Sequence, residues 1–208
     1  MIVAPFQIIL ESEDIGESKQ DVYPDEHVFV VLTVQPRIPI GSLSFAELPA
    51  GMLDEENPAG ASLSTKGNGD RSSNKVTFSG TAAREIAEET GLTVSSDQLI
   101  NMTDLALASS PISPSSGSSN TSAEQLQQAM YPSPGGSDEY MPLYLHRRSV
   151  SPAQLEAWQG RLTGLRDQGE KITVKIVPLK DAWKVGGRDG KVLAALGLYW
   201  GLKGEGRI

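Results

Sequence analysis

Residues 84–91, Arg-Glu-Ile-Ala-Glu-Glu-Thr-Gly, constrain the fold more than any other stretch of the chain. Ala83, Ile86, Ala87 and Thr90 recur at helical spacing, which predicts a helix from about Thr81 to Thr90 with one face on a core. Glu85, Glu88 and Glu89 share another face of that helix. Like charges so spaced repel by roughly 0.2–0.5 kcal/mol per pair. Gly91 is placed to stop the helix, so the carboxylates sit toward the negative end of its dipole. That adds a cost of about 0.3–1 kcal/mol each at exposed sites. A helix selected for stability alone would not carry this cluster, and a cation is expected beside it.

The surrounding chain supplies the sheet. "IVAPFQIIL", "HVFVVLTV", "YMPLYLHRR" and the alternating "EKITVKIVPL" read as strands, and "LSFAELPAGML" as a strand entering a turn at Pro49 and Gly51. "LTVSSDQLINMTDLALA" suggests a short strand, a turn and another strand, and "AEQLQQAM" a helical turn. "SPAQLEAWQGRL" offers Ser151 as N-cap and Pro152 as first helical residue, and "KVLAALGLYWGLK" reads as a C-terminal amphipathic helix. Residues 57–76 and 109–122 are rich in Gly, Ser and Asn without apolar period and are expected to be disordered insertions. Strands early and helices interleaved later predict a single α+β or α/β/α domain over 1–208.

Charge narrows the partners. The 208 residues carry a net charge of -8 with no basic cluster, which argues against nucleic acid and anionic membrane as partners. An acidic protein acting on anions needs metal ions or a few placed arginines. The chain has no cysteine, its first residues lack a signal-peptide pattern, and no apolar run approaches the ~18 residues of a membrane span. An intracellular, cytoplasmic protein is expected.

"REIAEETGL" resembles the second half of the Nudix box, G-x5-E-x7-R-E-U-x-E-E-x-G-U with U apolar, and Arg84, Glu85, Ile86, Glu88, Glu89, Gly91 and Leu92 match it. "ELPAGMLDEE" resembles the first half, with Gly51 as its glycine. Arg84 lies 33 positions after Gly51 against 14 in the pattern, an excess of 19 that the first insertion accounts for. Counted strictly, the first glutamate of the box falls at Asn57; Asp54, Glu55 and Glu56 all stand near enough to replace it, and the spacing does not choose among them. "LTVQPRIPIGSLSFAELPAGMLDEE", "YPSPGGSDE" and "GLRDQGEKITVKIVP" resemble segments of ADP-ribose and ADP-sugar diphosphatases, especially the plant type that cleaves ADP-glucose.

The resemblance implies an α/β fold, a Nudix α/β/α sandwich with a mixed β-sheet, and Mg2+-dependent hydrolysis of ADP-sugars or ADP-ribose to AMP and a sugar phosphate, with Mn2+ as a substitute metal. It implies Glu85, Glu89, Glu170 and the carbonyl of Ala50 as metal ligands. Glu88, Glu170 and Asp167 are the implied catalytic carboxylates; Gln168 stands at an often acidic position, so the choice of base stays open. Arg37 is the implied phosphate clamp, and Ser133, Pro134, Gly135 and Glu139 the substrate-side loop. Chemically, Mg2+ takes a few carboxylates plus substrate phosphate, the planar arginine fork suits phosphate oxygens, and Arg84 suits orienting the glutamates. The family is homodimeric through an N-terminal β region that this sequence does not display, so a weaker dimer or a monomer is expected.

Two alternatives remain: a non-catalytic Nudix-like nucleotide-binding module, and a diphosphatase for another nucleoside diphosphate derivative. His27 and His146 have no metal-ligand spacing and are read as surface or core-packing residues, and Trp158, Trp183 and Trp200 as packing residues.

Overall fold

The computed structural model describes residues 2–11, 27–52, 81–108 and 126–208. The two expected insertions, and Asp54, Glu55, Glu56 and Asn57, lie outside the described residues.

The described strands are β1 (Ile2–Glu11), β2 (Val28–Arg37), β3 (Ser42–Glu47), β4 (Gly51–Met52), β5 (Leu99–Asn101), β6 (Leu143–Val150), β7 (Leu162–Thr163) and β8 (Ile172–Pro178). They form a sheet ordered β5-β6-β1-β2-β8-β7, with β3 paired to β2 and β4 to β1. β1 runs parallel to β6, from Ala4 opposite Leu143 to Glu11 opposite Val150. β2 pairs antiparallel with β1, β3 and β8, so the sheet is mixed, as expected.

Alternation along β2 feeds two cores. Val28, Val30 and Leu32 face one side with Val177, Leu143 and Leu145. Helix α5 (Gly190–Gly204) covers that side with Val192, Ala195, Leu196, Tyr199 and Leu202, one helical stripe. Val31 faces the other side with Leu92, Val150 and Val174, and Leu155 and Trp158 pack there. Those two come from α3 (Pro152–Trp158), which starts at the expected N-cap Ser151 with Pro152 next, and Gln154 completes a capping box. Helix α1 (Thr81–Thr90) lies on this same side, touching β2, β7 and β8. Helices on both faces make the α/β/α sandwich. Truncating Leu32, fully buried at its centre, would cost about 2–5 kcal/mol.

Three expectations are corrected. Thr93–Ser95 form no strand although Leu92 and Val94 are buried, and the second expected strand is β5 followed by helix α2 (Met102–Ala108). The switch is made by Asn101, whose Oδ1 accepts from the Thr103 hydroxyl at 2.7 Å and the Asp104 amide at 3.2 Å. Residues 126–130 form no helical turn, because Met130 exchanges both backbone bonds with Met141, at 3.0 and 2.8 Å. Trp183 is 58% exposed, with the Lys184 ammonium 5.6 Å from its ring centre, so it packs no core. His146 is buried and Trp158 packs as expected, with the Arg148 guanidinium over its ring at 5.6 Å. Among the described residues, no helix is long and apolar enough to cross a membrane.

Candidate active site

The glutamate helix ends where its sequence requires. Gly91 has φ 71 and returns its amide to the Ala87 carbonyl at 2.8 Å. A Cβ at Gly91 would stand 2.9 Å from Nη1 of Arg161, so a side chain there is strained by the backbone conformation and would also push the exposed arginine aside. The next two carbonyls are taken by the end of β7: the Gly164 amide donates to Glu88 at 3.0 Å, and the Thr163 hydroxyl donates to the Glu89 carbonyl.

Glu85, Glu88 and Glu89 line a cleft of about 630 Å³ together with Arg37, Ala50, Glu139 and Glu170. Each of these was expected at the site from sequence. Burial pushes the Glu89 carboxyl up to about 7; the Ala50 amide hydrogen bond works against this, the charges of Glu47 and Glu170 add to it, and Arg37 opposes it. Ala50 touches Glu89 through its amide, which donates to Oε2 at 3.4 Å. Arg84 lies with Nε 3.5 Å from Oε1 of Glu88, an ion pair one turn along the exposed side of the helix.

Glu170 approaches from a loop between β7 and β8. Its Oε2 accepts from the Leu165 amide at 2.8 Å, and its own amide donates to the Leu165 carbonyl at 3.1 Å. Asp167 sits exposed in the 3-10 turn Arg166–Gln168 of that loop and is not among the residues lining the cleft. Ser133, Pro134 and Gly135 form an exposed turn, closed by the amides of Gly136 and Ser137 on the Ser133 carbonyl, both at 2.9 Å. They do not line the cleft either; Pro132 and Glu139, flanking the turn, do.

Sequence reading missed Asp189 and Lys191, which line the cleft, and the buried Glu47 behind them. Glu47 is buried, and its Oε1 takes Nε and Nη2 of Arg37 at 2.8 and 2.6 Å. Its Oε2 meets Nζ of Lys191 at 3.3 Å. Lys191 also contacts Oδ1 of Asp189 at 3.0 Å, while Oδ2 of Asp189 holds the Leu48 amide at 2.8 Å. Asp189 is the N-cap of α5, a role that the Asp-Gly-Lys start of the last helix offered as a signal.

The cleft is thus lined by carboxylates together with Arg37 and Lys191. The carboxylates fit a divalent cation: they are crowded, and burial with neighbouring negative charge already holds a proton on one of them near neutrality. Among the described residues no three acidic or imidazole side chains form a ready-made cage. A hard cation completing its shell with water and substrate phosphate needs none.

No family model matches the chain. Over 184 residues it is 34% identical to a protein of Arabidopsis thaliana named Nudix hydrolase 14, chloroplastic, a match covering 88% of this chain and 48% of that protein. The chain therefore spans about half the length of the curated relative it matches. Together with the mixed α/β/α sandwich and the Arg-Glu-x-x-Glu-Glu-x-Gly helix at the cleft, that similarity supports a place for this chain in the Nudix superfamily.

Proposed function

We propose that the domain hydrolyses the diphosphate linkage of an ADP-sugar or ADP-ribose, giving AMP and a sugar phosphate. The observation carrying this reading is the meeting of Glu85, Glu88, Glu89 and Glu170 with Arg37 in one cleft. Water adds to one phosphorus, the bridging P–O bond breaks, and the displaced phosphate leaves with the bond's electron pair. Glu170 is the better placed base, since it lines the cleft and Asp167 does not. Glu85, Glu89 and Glu170 would hold Mg2+, with Mn2+ as substitute. When bound, the cation would supply neutralisation of phosphoryl charge and would make the attacking water more acidic. Arg37, fixed by Glu47, directs its guanidinium toward phosphate oxygens. Glu139, which lines the cleft, would meet the sugar side of the substrate.

The chloroplastic relative makes a plastid a second compartment to test beside the cytoplasm. The decisive assay is a panel of ADP-ribose, ADP-glucose, UDP-glucose and NADH with Mg2+, read by release of nucleoside monophosphate. Release from the ADP-sugars first is the expected result. Binding of these nucleotides without turnover would replace the reading with a non-catalytic module.

A further inference from the structure

We propose that Thr163 and Gly164 are positioning residues for Glu170, a clamp that locks its loop onto the carbonyl end of the glutamate helix. This rests on the diphosphatase reading of the cleft.

A helix leaves its last carbonyls without partners inside the helix. In α1 those of Glu88 and Glu89 are filled by Gly164 and Thr163, which belong to the chain leading to Glu170. The same two glutamates present their side chains to the cleft. One end of one helix therefore supplies both the carboxylates and the anchor of the loop that faces them. Gly164 completes the coupling. Its φ is +82, and a Cβ there would stand 3.0 Å from Cγ and 3.1 Å from Oε2 of Glu170, and 3.2 Å from Cγ1 of Ile172. The Glu170 carboxylate thus packs on a bare Cα, and its Oε2 closes on the very next amide, Leu165, at 2.8 Å. Thr163 is buried and lines no part of the cleft, so changing it removes no group that would meet substrate.

A simple helix cap would contribute stability alone. A clamp also sets where Glu170 stands, and a misplacement of the order of 1 Å in a reacting group can cost about a hundredfold in rate. Thr163→Val removes the hydroxyl at nearly constant shape, Thr163→Ser keeps it, and Gly164→Ala adds the excluded methyl. The measurements are amide hydrogen exchange at Gly164 and Leu165 in the metal-free protein, the melting temperature, and kcat and KM on whichever nucleotide of the panel the parent hydrolyses.

For Thr163→Val, exchange at both amides should quicken about tenfold, as expected for one lost hydrogen bond. kcat should fall by about tenfold or more at a KM within about twofold, with Thr163→Ser restoring both. Gly164→Ala should do the same more severely; should it fail to fold, the threonine pair still decides. Parent-like exchange and kcat in Thr163→Val would overturn the clamp, as would a loss that follows melting temperature and is not recovered by serine. A parent without hydrolysis would sink the diphosphatase reading instead, and the exchange rates would then decide the clamp alone.

Discussion

Arg37 and Glu47 meet across the β2–β3 hairpin through two nitrogens on a single oxygen, at 2.8 and 2.6 Å. The glutamate side chain is 5% exposed and the arginine 47%, so the carboxylate is the buried anchor and the guanidinium the part offered to the cleft. The second glutamate oxygen is committed to Lys191, which joins the start of α5 to the same anchor.

Arg37→Lys should therefore keep the charge and lose the planar grip. The expected outcome is a KM raised about tenfold, with stability changed by less than about 1 kcal/mol because the arginine is half exposed. Steady-state kinetics beside a denaturant melt read both. Glu47→Gln should behave differently: it leaves Lys191 with Asp189 alone in a buried setting and should cost about 1–3 kcal/mol. An Arg37→Lys variant with unchanged KM would remove Arg37 from the substrate site.

The parts of the site were not equally legible in the sequence. The boundaries of α1 and its three glutamates were readable because charge spacing, apolar spacing and Gly91 are all local signals that agree. Glu47 and Lys191 gave no such signal, and Asp189 signalled only a helix cap: the bond from Lys191 to Glu47 joins positions 144 apart, and that from Leu48 to Asp189 positions 141 apart. Only the folded sheet brings them together. The start of α2 failed for a different reason. Leu99–Asn101 and the helix after it form one apolar run, and the break lies in the Asn101 side chain rather than in periodicity. The Ser133–Gly135 turn is legible as a loop, but its place off the cleft, between the paired Met130 and Met141, is not.

Gly91→Ala tests the helix stop. Alanine at φ 71 is strained, and its Cβ would press on the Arg161 guanidinium. A loss of about 1 kcal/mol or more is expected, read as a lower denaturation midpoint at constant slope. Because Arg161 is a flexible exposed side chain, Arg161→Ala in the same background should recover only the contact part of the loss.

The Glu89 carboxyl gives the metal-free protein a defined pH response. Its folded value is about 7 against an ordinary 4.5, so between these the native state keeps a proton that the unfolded chain has lost. This group's contribution to stability is therefore full below about pH 4.5, declines as pH rises through the window, and is lost above about 7. The difference in melting temperature between parent and Glu89→Gln, followed across that window, isolates it: the parent should fall relative to the variant as pH rises. Divalent cations must displace the same proton, so their affinity should rise with pH up to about 7. Calorimetry near pH 6 in buffers of different ionisation enthalpy should detect the released proton. A flat stability difference would mean that Glu89 is ionised throughout.

Glu89→Gln also separates the two meanings of a crowded acidic helix. The substitution keeps the shape and an oxygen for the Ala50 amide while removing one charge from a row that repels itself. In metal-free protein above pH 7 the variant should be as stable as the parent or more so, by a few tenths of a kcal/mol from the repulsion alone and by more where buried ionisation is relieved. A solvated charged face predicts that much and stops there. A ligand predicts a second effect at the same atom: hydrolysis with saturating Mg2+ should fall by orders of magnitude, because stabilisation of phosphoryl charge is lost from the transition state. The paired measurement is melting without metal and turnover of ADP-ribose or ADP-glucose with it. Greater stability together with collapsed turnover is the signature of a helix whose charges are arranged for a cation. Turnover equal to the parent would show that Glu89 holds no catalytic metal, and the crowding on α1 would need another cause.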